Sequence, residues 1–258
     1  MMTMRLRRAV DDLSINLAFY TRLPLACGLI EGSELARASW AAPLAGATVG
    51  LLGAATYWLA RGLLPTWPAA ALAVAATLMV TGCLHEDGLA DVADALGGSS
   101  REHKLDIMRD SRLGTYGASA LVASIVLRIA ALASLATPAS AAIALIVAHM
   151  AGRAAIPGFM RLIPPARGDG LSAGAGPAPR ASATVAAAIG ILALIAGLPW
   201  RGALLALAAA GAALFVMARL SIKHFGGQTG DVLGAAEQCV EIAVLLSAAT
   251  QMAGAASS

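Results

Sequence analysis

The sequence contains few charged and few aromatic residues, and both features limit the classes of protein to which it can belong. Of its 258 residues, 13% are Asp, Glu, Lys or Arg, and 4% are Phe, Trp or Tyr. A soluble domain averages roughly 25% charged residues, so this chain is not expected to be a water-soluble globule. The net charge of +3 is also too small to indicate a nucleic-acid surface. The hydrophobic content of 59% and the mean hydropathy of +0.76 instead predict an integral membrane protein.

Cysteine is scarce as well, and a typical secretion signal is missing. Cys27, Cys83 and Cys239 are too far apart in sequence to form a metal-ligand or redox pair, so we predict three buried free thiols. The basic N-terminal stretch lacks a long apolar segment, because Asp11 and Asp12 interrupt it. A cleaved signal peptide is therefore not expected.

Seven apolar segments are each close to the roughly 20 residues that a helix needs to cross a bilayer. Pro65, Pro138, Pro164 and Pro199 fall between them, as helix-breaking residues should. The sequence thus predicts an all-α fold, a polytopic integral membrane helical bundle of about seven transmembrane helices, with residues 1–258 forming one enzyme domain. The predicted spans are residues 40–60, 66–84, 117–136, 139–160, 182–199, 202–219 and 232–252.

Lys and Arg are unevenly divided between the two ends of these spans. Fourteen of them fall on one side of the membrane, whereas Arg61 and Arg201 fall on the other. The positive-inside rule places the richer side in the cytoplasm, here that of a bacterial inner membrane. This side holds the N-terminus and the connections 85–116, 161–181 and 220–231. We expect the active site in these connections, the alternative being that they only set the topology.

The segment HEDGLADVADALGG, residues 85–98, places several carboxylates directly after a nearly uncharged run. In a helix, Asp87, Asp91 and Asp94 fall within roughly 60° of one another. Like charges on one face repel unless a cation lies between them, and hard oxygen ligands suit Mg²⁺ or a similar ion. We predict a metal site at these three residues. The alternative is the acidic first turn of a solvated helix. His85 and Glu86 are predicted substrate contacts.

The next segment, REHKLDIMRDSRLGTYGASALV (residues 101–122), carries a group of basic residues. Guanidinium groups bind phosphate oxygens in pairs. A metal-binding acidic group followed by arginines indicates phosphoryl transfer, because both neutralise the charge of the transferred group. The alternative is an amphipathic linker with internal ion pairs. The predicted substrate contacts here are Arg109, Asp110, Arg112 and Tyr116.

Several charged residues lie inside the predicted spans or at their edges. Arg128, His149 and Arg153 would be costly at membrane depth unless they face the protein interior, and we expect Arg153 to point at the substrate phosphates. Glu241 lies well inside the last span and needs a buried partner. Asp231 is at the start of the same span, and the alternative to a role in the site is that it is only a helix N-cap. The predicted substrate contacts from these regions are Arg153, Arg167, Asp231 and Glu241.

Five blocks of the chain together resemble the cobalamin synthase family, whose members are also called adenosylcobinamide-GDP ribazoletransferases. They follow the family's order and cover nearly the whole chain, so the resemblance is far more specific than one DGLAD motif. The blocks are FYTRLPL, GCLHEDGLADVADALGG, IMRDSRLGTYGASAL, the central GR and ARGDGLS segments, and GGQTGDVLGAAEQCVEIAVLL.

The resemblance implies a reaction at the membrane in the last stage of cobalamin assembly. Adenosylcobinamide-GDP and α-ribazole, or its 5′-phosphate, would give adenosylcobalamin, or its 5′-phosphate, and GMP, with Mg²⁺ as cofactor. Asp87, Asp91 and Asp94 would hold the metal and the pyrophosphate. Asp94 and Asp91 are the predicted catalytic carboxylates, with Asp94 as the general base. The implied partners are these substrates, the lipid bilayer and either a second copy of the chain or other cobalamin-assembly enzymes.

Two alternative functions remain at this stage. The acidic helix also resembles, more distantly, the DGxxAR…GxxxDxxxD motif of CDP-alcohol phosphotransferases, which attach lipid headgroups. The chain lacks the Arg of that motif after Ala90, and its later Asp spacing is shorter. An ion-coupled transporter would place essential charges such as Arg128 deep in the membrane and would have repeated halves. The sequence has no convincing repeat, and its acids are densest outside the spans.

Overall fold

The computed structural model describes residues 2–25 and 31–252, and this part of the chain is helical without a β-strand. The all-α prediction is therefore confirmed. The helices are α1 (Met2–Tyr20), α2 (Gly32–Ala38), α3 (Ala42–Arg61), α4 (Thr66–Thr81), α5 (Leu84–Ala95), α6 (Arg101–Ile107), α7 (Thr115–Ala133), α8 (Pro138–Leu162), α9 (Leu171–Ala175), α10 (Arg180–Gly197), α11 (Trp200–Phe225) and α12 (Gly230–Met252).

Six stretches of helix are long and apolar enough to cross a membrane: α2–α3 together, α7, α8, α10, α11 and α12. The shorter α4 is followed by α5 after a bend of 91°. We treat α4 as the seventh span and α5 as lying outside the spans, because α5 carries four carboxylates in 12 residues. Six of the seven predicted spans match these long helices, whereas α4 reaches the required length only together with α5. Two predicted ends were wrong. The first helical stretch begins at Gly32 rather than at residue 40. Helix α11 continues to Phe225 rather than stopping at 219, so most of the connection 220–231 is helical.

The outer faces of the bundle are apolar. Leu192 on α10 is 63% exposed and Phe215 on α11 is 66% exposed, far more than a water-soluble protein would leave for side chains of this size along long helices. Such faces suit contact with lipid chains. The chain is therefore a multi-pass membrane protein.

The bundle is held together by close helix contacts rather than by large side chains. On α3, Gly46 and Gly50 form a GxxxG pair that faces α8. A Cβ atom on Gly50 would lie 2.6 Å from the Cα of Ile146, and one on Gly46 would meet the carbonyl group of His149. Small residues at such positions let two helix backbones touch, which is how helices associate when lipid offers no hydrophobic driving force.

Hydrogen bonds show which connections share an end of the bundle. The Arg101 guanidinium donates to the carbonyl oxygens of Phe225 and Ala166, and so joins three polar connections. At the opposite end, the N–H of Ala136 donates to the carbonyl of Met252 at 3.1 Å. The helices therefore alternate in direction, as the charge distribution predicts.

Helix α1 was not among the predicted elements, yet it forms one wall of the polar end. Its Asp12 is buried and accepts hydrogen bonds from Arg37 and from the Trp40 indole, and Asn16 donates to the carbonyl of Ala38 at 2.8 Å. These contacts attach α1 to α2 and to the start of α3. They place the last residues of α1 beside α5 and α8.

The prediction of three buried thiols was wrong for Cys83. This residue is exposed and has a left-handed backbone, with φ 58°, directly after Gly82 with φ 63°. Two consecutive left-handed residues end α4 and turn the chain into α5, which explains the 91° bend. Cys239 is half-buried, and Cys27 lies outside the described residues.

Candidate active site

Two acidic segments that are far apart in sequence meet where α5 crosses α12. A Cβ atom on Gly88 would lie 2.7 Å from the carbonyl oxygen of Asp231, and one on Gly234 would lie 3.2 Å from the Cα of His85. Only glycine permits so close an approach. The crossing brings Asp87 of the HEDG segment to Asp231 of the GDVLG segment.

A cavity of about 280 Å³ opens beside this crossing. Its walls come from α1, α2, α5, α8, α12 and the connection that contains α9. Asp87, Asp231, His85 and Arg167 all line it, so four predicted site residues from three separate segments share one space. One guanidinium nitrogen of Arg167, Nη1, is buried without a hydrogen-bond partner in the described structure, which suits an anionic ligand.

The acidic residues of the crossing differ in their partners, because Asp231 accepts a hydrogen bond from the Thr229 hydroxyl and lies near the Arg167 guanidinium. Asp87 is exposed and Asp91 is half-buried, and neither carboxylate has a hydrogen bond or ion pair among residues 2–25 and 31–252. Burial, and to a lesser extent the charges of Asp87, Asp231 and Asp94, raise the pKa of Asp91 to about 7. The site therefore has an excess of negative charge that a bound cation would relieve.

Asp94 has a different environment from the other acids of α5. Its carboxylate accepts hydrogen bonds from the backbone N–H of Gly114 at 2.7 Å and of Gly117 at 2.8 Å. These donors belong to the first turn of α7, whose N–H groups have no partner within the helix. Asp94 therefore attaches α7 to α5.

Mg²⁺ fits the open group formed by Asp87, Asp91 and Asp231. The donors are carboxylate oxygens, which Mg²⁺ prefers, and it is commonly held by one or two carboxylates, several waters and substrate phosphates. Among the described residues, the oxygens of these three carboxylates do not all lie within 4.8 Å of one another. That spacing agrees with a metal that is completed by its substrate.

A second group of charged residues is fully buried between α5, α7, α8 and α12. Arg128 bonds to Glu86 at 2.9 Å and to Glu241 at 3.3 Å. Arg153 bonds to Glu237 at 2.8 Å. Both guanidinium groups are 1% exposed. The expectations that Arg128 faces the protein interior and that Glu241 has a buried partner are therefore confirmed.

Histidines extend this buried network. His149 Nδ1 lies 2.8 Å from a Glu241 oxygen, and His85 Nδ1 lies 3.3 Å from a Glu237 oxygen. Burial lowers the pKa of His85 well below its ordinary value, and the nearby Arg153 lowers it further. His85 is therefore neutral at physiological pH. It lines the cavity as well, so it connects the buried network with the cavity wall.

Within the described residues, the ligand atoms of His149, Glu237 and Glu241 lie within 4.8 Å of one another, a spacing that could hold a metal ion. The neighbouring cations argue against such an ion. Arg153 and Arg128 already pair with Glu237 and Glu241, so a divalent ion would lie against two guanidinium groups. We interpret this group as a structural charge network.

The arginines of the segment 101–122 lie away from the cavity. Arg109 donates to Asp169 at 2.6 Å, which joins this segment to the connection before α9. Arg112 pairs with Asp110 two residues away, and its hydrogen bonds hold the pKa of Asp110 below its ordinary value. Both ion pairs are exposed, as expected for the alternative of an amphipathic linker. Tyr116 is also exposed.

The structure thus divides the predicted site residues into three sets. Those that line the cavity are His85, Asp87, Arg167 and Asp231, with Asp91 and Asp94 on the same helix as Asp87. Those inside the bundle are Glu86, Arg153 and Glu241. The expectation that Arg153 points at the substrate phosphates was wrong, because Arg153 pairs with Glu237 and does not line the cavity. Those on the exposed polar end are Arg109, Asp110, Arg112 and Tyr116.

Sequence reasoning missed two groups of site residues. Glu237 is fully buried at the centre of the network, and its spacing of four residues from Glu241 places both on one face of α12. That spacing was a usable signal. Phe19 and Tyr20 line the cavity from α1, and they begin the block FYTRLPL, whose family resemblance was a usable signal.

The sequence profile of the cobalamin-5-phosphate synthase family matches residues 12–249. A protein of Bradyrhizobium diazoefficiens named adenosylcobinamide-GDP ribazoletransferase is 50% identical over 256 residues, which cover 98% of each chain. A protein with the same name from Mesorhizobium japonicum is 48% identical, and the match covers 97% of each chain. Another from Azorhizobium caulinodans is 47% identical, and the match covers 94% of this chain and 97% of its relative. No solved structure matches the chain.

Proposed function

This chain belongs to the cobalamin-5-phosphate synthase family, and we propose that it is an Mg²⁺-dependent transferase that joins adenosylcobinamide-GDP to α-ribazole or its 5′-phosphate. The products are adenosylcobalamin, or its 5′-phosphate, and GMP. The full-length similarity to relatives that are named adenosylcobinamide-GDP ribazoletransferase supports this activity. It is the last assembly stage of cobalamin.

The observation that carries the proposal is the crossing of α5 and α12 beside the cavity. It joins the carboxylates of two sequence blocks with Arg167, whose buried Nη1 lacks a partner. Unneutralised carboxylates, a free guanidinium nitrogen and a cavity are what a pyrophosphate with a bound cation requires. A polar loop that only sets the membrane topology would need none of these three features.

In the proposed mechanism, Asp87 and Asp231 hold the metal, and Arg167 binds a phosphate oxygen. Mg²⁺ bound there would neutralise charge on the pyrophosphate as the leaving group departs. A ribose hydroxyl of the acceptor attacks the phosphorus on the corrinoid side, a new P–O bond forms, and the bond to GMP breaks. Asp91 takes the hydroxyl proton, because it lies one helical turn from Asp87 and its carboxylate has no hydrogen-bond partner among the described residues. We prefer Asp91 to Asp94, whose two oxygens already accept backbone hydrogen bonds.

The test is an assay of the purified protein in liposomes with adenosylcobinamide-GDP and α-ribazole, with Mg²⁺ or with a chelator. We expect GMP release that requires both substrates and Mg²⁺. Undiminished release in the chelator would refute the metal dependence. Headgroup transfer from a CDP-activated lipid, without reaction of the corrinoid, would instead favour the CDP-alcohol alternative.

We further propose that the polar end of the bundle faces the cytoplasm across a bacterial inner membrane, because most Lys and Arg residues are at that end. With Cys27, Cys83 and Cys239 all replaced by Ser, a membrane-impermeant thiol reagent should label a Ser99→Cys variant in inside-out vesicles but not in right-side-out vesicles. The opposite pattern would reverse the orientation. Assembly as a homo-oligomer or with other cobalamin-assembly enzymes stays a prediction.

A further inference from the structure

The cavity beside the α5–α12 crossing is small and its lining is mostly apolar, although the charged residues Asp87, Arg167 and Asp231 also line it. Its volume of about 280 Å³ lies at the lower end of the roughly 300–1,000 Å³ typical of small-molecule sites. The apolar wall comes from three helices, with Phe19 on α1, Ile156 and Met160 on α8, and Leu233 on α12. A ligand of modest size with an apolar part fits this space.

The wall offers an aromatic surface for a flat ring. The Phe19 and Tyr20 rings lie with their centroids 4.8 Å apart, nearly perpendicular to one another. Tyr20 is in turn 5.6 Å from the His85 ring, centroid to centroid. The Arg153 guanidinium lies over the buried Tyr20 ring at 5.8 Å, so the half-buried Phe19 ring is the one that is free to contact a flat heteroaromatic group.

Three flat or ring-shaped groups take part in the proposed reaction, and they differ in size and polarity. The corrinoid macrocycle is too large for a cavity of about 280 Å³. Guanine carries hydrogen-bonding groups along its edges, which would lose their partners against an apolar wall. The benzimidazole-type base of α-ribazole is flat, small and largely apolar.

We propose that this cavity is the binding site for the acceptor nucleoside, with the base of α-ribazole held between α1, α8 and α12. The ribose then lies toward Asp87, Asp231 and Arg167, where its hydroxyl meets the pyrophosphate. The corrinoid stays outside the cavity. This inference rests on the proposed function, which supplies the identity of the acceptor.

Met160 is the residue to change, because it lines the cavity and is only partly buried by other side chains. Met160→Trp would fill part of the space. The matched control is Met79→Trp on α4, since Met79 is 78% exposed on the outside of the bundle. Acceptor binding is measured by calorimetry on the liposome-embedded protein without the corrinoid substrate, and KM values are measured for both substrates.

We expect Met160→Trp to weaken α-ribazole binding and raise its KM by about tenfold or more, the effect of a misfitted apolar group in a pocket. The KM of adenosylcobinamide-GDP should stay within about twofold of the wild-type value, and Met79→Trp should change neither. A rise in the corrinoid KM alone, or unchanged α-ribazole binding in a folded Met160→Trp protein, would overturn the assignment.

A second variant covers the case in which Met160→Trp does not fold. Met160→Ala enlarges the cavity and should lower the preference for the dimethylated benzimidazole nucleoside over bulkier bases, measured as a ratio of kcat/KM values. An unchanged ratio would contradict the proposal. If the wild-type protein itself releases no GMP with any acceptor, the proposed function fails, whereas calorimetric binding of α-ribazole still tests the cavity.

Discussion

Gly88 on α5 faces the backbone of Asp231 on α12 so closely that a Cβ atom would lie 2.7 Å from the Asp231 carbonyl oxygen. This contact determines where the two acidic segments of the sequence meet. The carboxylates of Asp87 and Asp91 lie near enough to Asp231 for their charges to interact because nothing larger than hydrogen separates the two helices. The spacing of the proposed metal site therefore depends on a residue that has no side chain.

Adding one methyl group at this contact should damage the site without removing any of its charges. Gly88→Ala forces α5 away from α12, and we expect kcat/KM for GMP release to fall about a hundredfold, as for a misplaced reacting group. The control is Gly211→Ala on α11, where a Cβ atom would meet nothing within 4 Å. If Gly88→Ala kept wild-type activity, the close crossing would not matter for the site.

Two measurements should distinguish the role of Asp87 from that of Asp94. Asp94→Ala removes two hydrogen bonds to the first turn of α7, and each bond to a charged group contributes roughly 1.5–3 kcal/mol. We expect a lower Tm and little change in the Mg²⁺ concentration needed for half-maximal activity. Asp87→Asn should do the reverse, raising the Mg²⁺ requirement at an unchanged Tm. A raised Mg²⁺ requirement in Asp94→Ala would return Asp94 to the metal ligands.

The raised pKa of Asp91 makes its role visible in the pH dependence of the reaction. As a general base Asp91 must be unprotonated, so kcat/KM should rise with pH and then level off. Mg²⁺ bound at Asp87 and Asp231 should place this rise below the pH of about 7 at which the carboxyl of the metal-free protein loses its proton. Asp91→Asn should lose nearly all activity at every pH. A wild-type profile that stays level down to about pH 4, the ordinary pKa of a carboxyl group, would argue against Asp91 as the proton acceptor.

The same group affects the stability of the metal-free protein. The folded state binds the Asp91 proton more tightly than the unfolded state, whose carboxyl has an ordinary pKa of 3.8. The free energy of unfolding should therefore fall as the pH rises from about 4 to 7, and Asp91→Asn should reduce this dependence. The comparison uses unfolding of both proteins in detergent with a chelator. An identical slope in the variant would mean that other groups dominate.

Arg128 should be essential for stability although it lies outside the cavity. Arg128→Met leaves Glu86 and Glu241 without their shared cation, and breaking such a buried ion pair costs about 3–5 kcal/mol. Unfolding in detergent should show this loss, whereas Arg201→Met on the exposed opposite end should show almost none. Adding Glu86→Gln to Arg128→Met should recover part of the stability, because it removes one unpaired charge. No recovery would mean that packing, not charge, explains the loss.

The membrane bundle and the division of its connections between two ends could be read from the sequence because they follow from local properties. Apolar length, helix-breaking prolines and the distribution of Lys and Arg each act over one segment at a time. The acidic face of α5 was also predictable, since helical spacing alone puts Asp87, Asp91 and Asp94 on one side. For buried charges, the sequence indicated only the type of partner. Glu241 needed a cation, but no pattern showed that this cation is Arg128.

Only the tertiary structure decided which of these residues work together. The 91° bend at Gly82 and Cys83 and the glycine contact between α5 and α12 bring Asp231 to Asp87, while Arg153 is drawn to Glu237 inside the bundle. In the same fold, the Asp94 carboxylate is hydrogen-bonded to the first turn of α7. Periodicity within one helix determines which face a side chain occupies, whereas the partner of that face depends on how distant helices pack, and that information is not local.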